Sequence, residues 1–413
     1  MSPTLFISAG EASGEHYGAL LVTALKRRLD AVGVQAKLFG IGGPRMEAAG
    51  LERVVHAEDM AVMGLTEVVL HLPRIYREFR KLRKAIRTCR PDMAVLIDFP
   101  EIHFRLAKEF HRLGVPVIYF VSPQLWAWKK KRIKLVQQYV RRMLVIFPFE
   151  EPFYRERGVD AEFVGHPLAE LPAPSISREQ FAAQNGLDPG KTWIGLLPGS
   201  RVREIHDHLP EMLRAARILF SHAQPRGLEF IVPLAPTLNA AQRQQVAALI
   251  VRESGGLVVR LAEDARATLF HARASVVASG TATVEAALIG NPFIVVYRVS
   301  ALTYAMAKRM VKVPHVAMAN LIAGKRLVPE LIQHDFTAAK IVQQLEPLLP
   351  DGPERQSMIE GLGSIRDALG VRLTESKNDN SGAIDRVAAV ILEELKISSA
   401  TPGAAAPDKV AAS

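Results

Sequence analysis

The chain has 413 residues, 49% of them apolar and 7% aromatic, enough for two domains with ordinary cores and far from the composition of a disordered chain. Its single cysteine, Cys89, excludes an intramolecular disulfide. The net charge of +10 is uneven: residues 65–142 hold eighteen Lys or Arg against six Asp or Glu, leaving the remainder slightly acidic.

The opening MSPTLFISAG lacks a basic leader followed by a long apolar run, and GVPVIYFVSPQLWAW, an uncharged stretch, has only fifteen residues and two prolines. The expectation is a chain that is neither exported nor membrane-spanning. In order, TLFISAG leads into GEHYGALLVTALKRRL, AKLFGIGG into PRMEAAG, MAVLIDFP into IHFRLAKEFHRLG, VPVIYFVSP into a Trp and Lys segment, and RMLVIFPF into EEPFYRERG. This strand, loop, helix rhythm predicts a parallel sheet with helices on both faces.

Two segments of this half carry most of the positive charge. In RIYREFRKLRKAIRTCR, Ile75, Phe79, Leu82 and Ile86 recur at helical spacing, so an apolar stripe runs along an otherwise basic helix. After QLWAW come Lys129, Lys130, Lys131, Arg132 and Lys134, close to Trp126 and Trp128. Together these fit an anionic membrane surface. For the first helix alone, a stripe packed on the core with a solvated basic face explains the pattern equally well. No nucleic-acid-binding fingerprint accompanies the charge, so no nucleic-acid partner is expected.

Past FVGHPLAE the segment LPAPSIS reads as a hinge, and the rhythm restarts with TWIGLLPGSRVREI, LPEMLRAARILFSHA, LEFIVPLAP, GLVVRLAED, ASVVASGTATVEAALIG and NPFIVVYRVS. The predicted fold class is α/β, with two Rossmann-like domains whose parallel sheets face a central cleft. The boundaries read as 1–171 and 172–350, followed by C-terminal helices over 351–397 packing back toward the first domain and a disordered tail over 398–413.

Three strand-to-helix loops are candidate binding elements. In SAGEASGEHYGA, Gly10 and Gly14 precede a helix, but the spacing is not the dinucleotide pattern G-x-G-x-x-G, which disfavours a nicotinamide enzyme. In LLPGSRVREI, Gly199 and Ser200 meet Arg201, whose guanidinium can grip phosphate oxygens in a bidentate way. In SGTATVEAAL, Gly280, Thr281 and Ala282 open a helix whose free N–H groups and positive dipole end suit an anion. Together the last two would clamp a diphosphate, and Glu285, one turn beyond Thr281, could accept both hydroxyls of a ribose. Each loop can also be read as a simple turn.

SAGEASGE, GIGGPRM, MAVMGLTEV, PDMAVLIDFPE, YFVSPQLWAW, FPFE, FVGHPL, LLPGSR, SGTATVEAAL and NLIAGKRLVPELIQ resemble, in order, the blocks of the lipid-A-disaccharide synthase family, from about residue 4 to about residue 345. The resemblance implies an inverting hexosyltransferase that moves 2,3-diacylglucosamine from UDP to 2,3-diacylglucosamine 1-phosphate and makes a β-1,6-linked disaccharide. UDP would lie on the second domain and the acceptor on the first. It also implies a cytoplasmic enzyme held peripherally on the inner face of the inner membrane, with a homodimer left open.

A sugar hydroxyl needs a general base, and Asp98 in LIDFPE, matching the family's aspartate, is the choice, with Glu15 and His16 in reserve. Asn320 is assigned to the nucleotide side, while Gln333 reads as a cap. Glu15 stands where the family usually has aspartate, and Glu101 and His103 replace its commoner aspartate and asparagine. There is no Asp-x-Asp pair, and HDH at 206–208 reads as part of a solvated helix, so neither metal nor cofactor is expected. The alternatives are another UDP-sugar enzyme, such as a UDP-N-acetylglucosamine 2-epimerase or a transferase with a different acceptor, and a non-catalytic membrane-associated binding protein.

Overall fold

The computed structural model describes residues 2–57, 65–222, 227–301, 303–305, 313–370 and 382–397. It comprises two compact units, one of Met1–Trp126, Lys130–Pro167 and Ser376–Ser413, the other of Ala127–Lys129 and Leu168–Glu375.

The first unit runs β1 (Thr4–Ala9), α1 (Ala12–Ala31), β2 (Lys37–Gly42), α2 (Pro44–Ala48), β3 (Glu52–His56), α3 (Leu65–Cys89), β4 (Met93–Ile97), α4 (Pro100–Arg112), β5 (Val117–Phe120), α5 (Ile133–Tyr139), β6 (Arg142–Val145), α6 (Glu150–Arg155) and β7 (Ala161–Phe163). Its strands pair in parallel in the order β3-β2-β1-β4-β5-β6-β7. A parallel sheet is covered on both faces, so its strands can be apolar throughout, and every residue of the MAVLI strand β4 is buried. Phe6 anchors the core, its ring centroid 5.5 Å from that of Phe39 and 5.0 Å from that of Phe110.

The basic helix α3 turns its stripe inward. Leu82 and Ile86 are fully buried and Phe79 packs beside them; the side chain of Ile75 lies outside the described residues. Part of its charge is also neutralised, because the buried Glu109 takes Arg83 at 3.1 Å and Arg87 at 2.8 Å. The stripe is therefore core, while Arg77, Arg80, Lys81 and Lys84 remain on the exposed side.

In the second unit α7 (Arg178–Asn185), β8 (Thr192–Leu197), α8 (Val202–His222), β9 (Leu228–Pro233), α9 (Ala240–Glu253), β10 (Val259–Ala262) and α10 (Ala265–His271) come first. They are followed by β11 (Ala274–Ala278), α11 (Thr281–Ile289), β12 (Phe293–Tyr297), α12 (Met318–Ala323), β13 (Glu330–Ile332), α13 (Ala338–Leu345) and α14 (Pro353–Leu369). The strand order is β10-β9-β8-β11-β12-β13, again parallel. Capping boxes start α7 and α9: Ser177 with Gln180, and Asn239 with Gln242.

The segment 351–397, read from sequence as one block returning to the first domain, divides. Helix α14 packs on α11 and α12 within the second unit; only α15 (Ala383–Glu394) joins the first, lying on α1. Its apolar face, with Val387, Ala388 and Ile391 fully buried, supplies the packing. Asp385 meets Arg27 and Arg28 of α1, and Glu394 meets Arg141 at 2.6 Å. The tail 398–413 lies outside the described residues. No described helix is long and apolar enough to cross a membrane.

In each sheet the chain reverses its direction of travel once, between β1 and β4 in the first and between β8 and β11 in the second. Loops leaving such a pair of strands diverge to opposite faces and open a crevice at the carboxyl edge, the usual ligand position in open α/β sheets. If α15 is an integral layer of the first unit, Ile391→Ala is expected to cost about 2–5 kcal/mol, read as a lowered urea midpoint.

Candidate active site

In the first unit the switch-point loops follow β1 and β4. Asp98 and Phe99 leave β4 with φ of 52° and 49°, two successive left-handed residues, neither of them glycine. Each such residue costs roughly 1–2 kcal/mol, so the turn persists only because its surroundings hold it. The Asp98 N–H donates to Phe120 O at 3.0 Å, and the His103 N–H donates to Phe99 O at 3.1 Å. The Asp98 carbonyl accepts from the Tyr119 hydroxyl at 2.5 Å and from His103 Nδ1 at 2.6 Å. On the other side the Phe99 ring lies against Gly10, where a Cβ would come within 2.2 Å of it. That close approach is why the SAGEAS loop has glycine there.

Burial pushes the half-buried Asp98 carboxyl up to about 7, with the Glu11 charge acting in the same direction and a Phe99 N–H against it. A carboxylate with that affinity for a proton is a competent base near neutral pH. Burial also drives His103 down to about 3, so its ring is neutral. Because a carbonyl can only accept, its proton sits on Nδ1, leaving Nε2 to accept from the Ser8 hydroxyl at 2.7 Å.

Both reserves from the sequence lie near Arg45. Glu15 turns to the start of α2, where its carboxylate accepts the Arg45 N–H at 2.8 Å and rests on Gly43. His16 is half-buried; burial lowers its pKa first and Arg45 second, against Glu15. Glu101 is held by Arg132 through two hydrogen bonds of 3.0 and 2.9 Å. Trp126, read as a membrane-facing ring, instead donates its indole N–H to Glu150 at 3.0 Å and packs edge-on to Phe149. Burial raises the Glu150 carboxyl to about 7, and four donors partly offset this: the Ser122 hydroxyl at 2.6 Å, the Trp126 indole and the Phe147 and Ile146 N–H groups. Trp128 is 38% exposed and carries Lys129 over its ring at 4.2 Å.

In the second unit the loops after the adjacent strands β8 and β11 lie side by side, since Leu197 pairs with Val277. Gly199 adopts φ of 121°, and a Cβ there would meet the Glu204 carboxylate at 2.6 Å. Glu204 accepts the Ser200 N–H at 3.2 Å and pairs with Arg201 at 3.1 Å. An internal anion thus sits on the donors that the sequence assigned to a phosphate.

Next to it, Gly280 takes φ 157° and ψ −162°, a conformation open essentially to glycine alone, and starts α11 with no side-chain cap. The side chain of Thr283 donates to Gly280 O at 2.7 Å, leaving the face at Thr281 and Ala282 to the backbone. Glu285, a turn onward, is half-buried; burial raises its carboxyl, Arg266 opposes this and Asp264 adds to it.

His208, expected on a solvated helix, is fully buried. Its Nδ1 donates to Pro198 O at 2.7 Å and its Nε2 accepts the Arg298 N–H at 3.0 Å, tying the loop after β8 to that after β12. Asn320, expected beside the nucleotide, is consumed internally. Its Oδ1 accepts the N–H groups of Leu327 and Val328 at 2.7 and 2.8 Å, while its Nδ2 donates to Val328 O at 2.9 Å and Glu330 at 2.8 Å. With zero exposure it is a structural clamp. Gln333 pairs its amide with both backbone groups of Val299, each at 2.9 Å.

Sequence reasoning passed over Tyr119, Ser8 and Glu204. Nothing in a strand tyrosine announces a bond to a neighbouring turn, whereas a glutamate at the third position of a helix is a recognised capping signal. No group of three His, Cys, Asp or Glu that could hold a metal is found among the described residues.

Solved structures share this architecture: the calicheamicin glycosyltransferase CalG4 at TM-score 0.57 and 18% identity, over 96% of this chain and 98% of that one. A putative UDP-N-acetylglucosamine 2-epimerase from Listeria monocytogenes follows at 0.62 and 13%, over 96% and 97%. The fold is that of the two-Rossmann-domain glycosyltransferases, which those epimerases share.

A family model described as lipid-A-disaccharide synthetase matches residues 5–378. The lipid-A-disaccharide synthases of Acidobacterium capsulatum and Koribacter versatilis are 57% and 50% identical, over 96% and 94% of this chain and 97% of each relative. The chain belongs to the lipid-A-disaccharide synthase family and is a glycosyltransferase. That membership favours the transferase reading over the epimerase and the idle binding protein.

Because Asn320 closes four buried hydrogen bonds, Asn320→Ala is expected to destabilise the second unit by about 2–4 kcal/mol. Chemical denaturation checks this; an unchanged midpoint together with lost nucleotide affinity would return Asn320 to the ligand.

Proposed function

We propose that the protein transfers a 2,3-diacylglucosamine unit from its UDP conjugate to the 6-hydroxyl of 2,3-diacylglucosamine 1-phosphate, with inversion, releasing UDP and a β-1,6-linked disaccharide 1-phosphate. The observation that supports it most is Asp98, a carboxylate at the switch point of its sheet whose environment raises its proton affinity. It takes the hydroxyl proton as the new C–O bond forms and the anomeric carbon acquires oxocarbenium character.

Charge gathers on the departing diphosphate, and donors set in advance where that charge develops stabilise it. Those donors are Gly199, Ser200 and Arg201 after β8, and Gly280, Thr281 and Ala282 after β11. The diphosphate takes the position of the Glu204 carboxylate, and Glu285 receives the ribose hydroxyls. The protein works peripherally at the cytoplasmic face of an anionic membrane, a reading supported by the exposed Trp128, Lys130, Lys131 and Lys134 and by the outer face of α3.

If Asp98 is the base, kcat/KM should climb about tenfold per pH unit below roughly 7 and level off above it. Asp98→Asn is expected to lose at least about a hundredfold in turnover while keeping UDP affinity. Stability moves the other way. The folded carboxyl holds its proton up to about 7 against 3.8 in the unfolded chain, so the folded state binds more protons in that window and stability falls as pH rises through it. The amide escapes that cost, and at pH 8 Asp98→Asn should be about 1–2 kcal/mol more stable than the parent in denaturant titrations. A variant that is inactive and also less stable would make Asp98 structural.

For the donor side, Arg201→Ala should weaken UDP about 10–100-fold in calorimetry and leave uridine binding unchanged, since uridine has no phosphate to grip. Equal loss for both ligands would refute the anion role.

A further inference from the structure

The left-handed turn that carries Asp98 has a support with a chemistry of its own. Its carbonyl oxygen receives two donors, His103 Nδ1 at 2.6 Å and the Tyr119 hydroxyl at 2.5 Å. Both donors are fully buried. They come from different elements, α4 and β5, so they approach the carbonyl from two directions. Behind His103 the Ser8 hydroxyl, also fully buried and on β1, meets Nε2 at 2.7 Å and holds the ring orientation. Ring contacts complete the seat: His103 stands edge-on to Phe99 at 5.5 Å and to Tyr119 at 5.9 Å.

A peptide unit gripped at its carbonyl by two convergent donors cannot rotate without breaking both, and rotation of that unit would swing the Asp98 side chain. We propose that His103 and Tyr119 are positioning residues for the reaction, fixing the left-handed backbone of Asp98 so that its carboxylate meets the acceptor hydroxyl, with Ser8 orienting His103. This rests on the reading of Asp98 as the base. His Nδ1 and Asn Nδ2 are both attached directly to Cγ, so either residue can place a donor on the Asp98 carbonyl. Only histidine extends further, to Ser8.

The same topology supplies a discriminating test. His103→Asn keeps the donor to Asp98 and loses Ser8. His103→Leu loses both, and His103→Gln carries its nitrogen one bond too far for the carbonyl but within reach of Ser8. With the full chain, UDP-2,3-diacylglucosamine and the acylated glucosamine 1-phosphate, the leucine and glutamine variants are expected to lose about 30–100-fold in kcat, because a reacting group displaced by about 1 Å costs up to that much. Their KM for the acceptor and their calorimetric Kd for UDP should stay within about twofold of the parent. His103→Asn should retain kcat within about threefold, even if its melting temperature falls through the lost Ser8 bond.

Should leucine at 103 prevent folding, Tyr119→Phe carries the test, since it removes a single oxygen atom; a loss of about 5–10-fold in kcat at constant KM is expected. Asparagine as damaging as leucine, or kcat losses that merely track melting temperature, would overturn the proposal. So would full kcat in His103→Leu and Tyr119→Phe alongside an inactive Asp98→Asn. If Asp98→Asn itself turns over normally, the base assignment fails first and this inference falls with it.

Discussion

The pairing of β1 with β4, and of β8 with β11, is the constraint from which the rest follows. Parallel neighbours cannot be joined by a tight turn, so each connection crosses a face of the sheet as a helix. At the pair where strand order reverses, successive helices go to opposite faces and their starting loops part. All the residues that carry chemistry in the proposed reaction begin within a few positions of those reversals: Asp98 one residue past β4, the 199–201 turn past β8, and the 280–282 turn past β11. The sheets themselves hold no chemistry. They hold its positions, through central strands, β4 and β11 among them, so completely buried that register slippage would put apolar side chains in the wrong layer.

Electrostatics divides the two reversals. The first unit gathers carboxylate character at its edge, with Glu11 beside Asp98, and burial makes ionisation of Asp98 costly. The second gathers backbone donors and Arg201 about a turn that would be electropositive if left alone, and a local carboxylate, Glu204, sits on it. The first edge carries a local penalty, the raised proton affinity of Asp98, whereas at the second an internal carboxylate satisfies the donors. Such penalties concentrate at functional sites, where the surrounding structure over-determines them. The double left-handed turn at Asp98 and Phe99 is a second instance, held by Phe120, His103, Tyr119 and the space left by Gly10.

Much of this was legible beforehand, and the errors have a common form. The α/β rhythm was visible because apolar runs bounded by glycine or proline alternate with helical periodicity, a pattern local enough to read along the chain. The turns at Gly199 and Gly280 were visible because glycine marks conformations that other residues avoid. Misreadings arose wherever one side chain had several partners to choose from. Asn320 could have faced a nucleotide but spends its amide on Leu327, Val328 and Glu330; Trp126 could have met lipid but donates to Glu150; His208 could have been solvated but bridges Pro198 and Arg298. Glu15, adjacent in sequence to His16, caps a different helix altogether. Residue type and spacing state what a polar group is able to bond, and only the tertiary arrangement states what it meets.

By itself the sequence determined the class of fold, the reversal loops and the family, because these rest on periodicity, on glycine and on the order of motifs along the chain. The tertiary structure decided that the Asp98 carboxyl has its proton affinity raised. Asp98 and Glu15 are chemically near-equivalent in a string of letters, yet one is partly withdrawn from water beside another negative charge and the other is satisfied by a backbone N–H. Proton affinity is a property of surroundings, and besides burial the charge that raises it at Asp98 is Glu11, far away in the chain and brought to the same sheet edge by the pairing of β1 with β4.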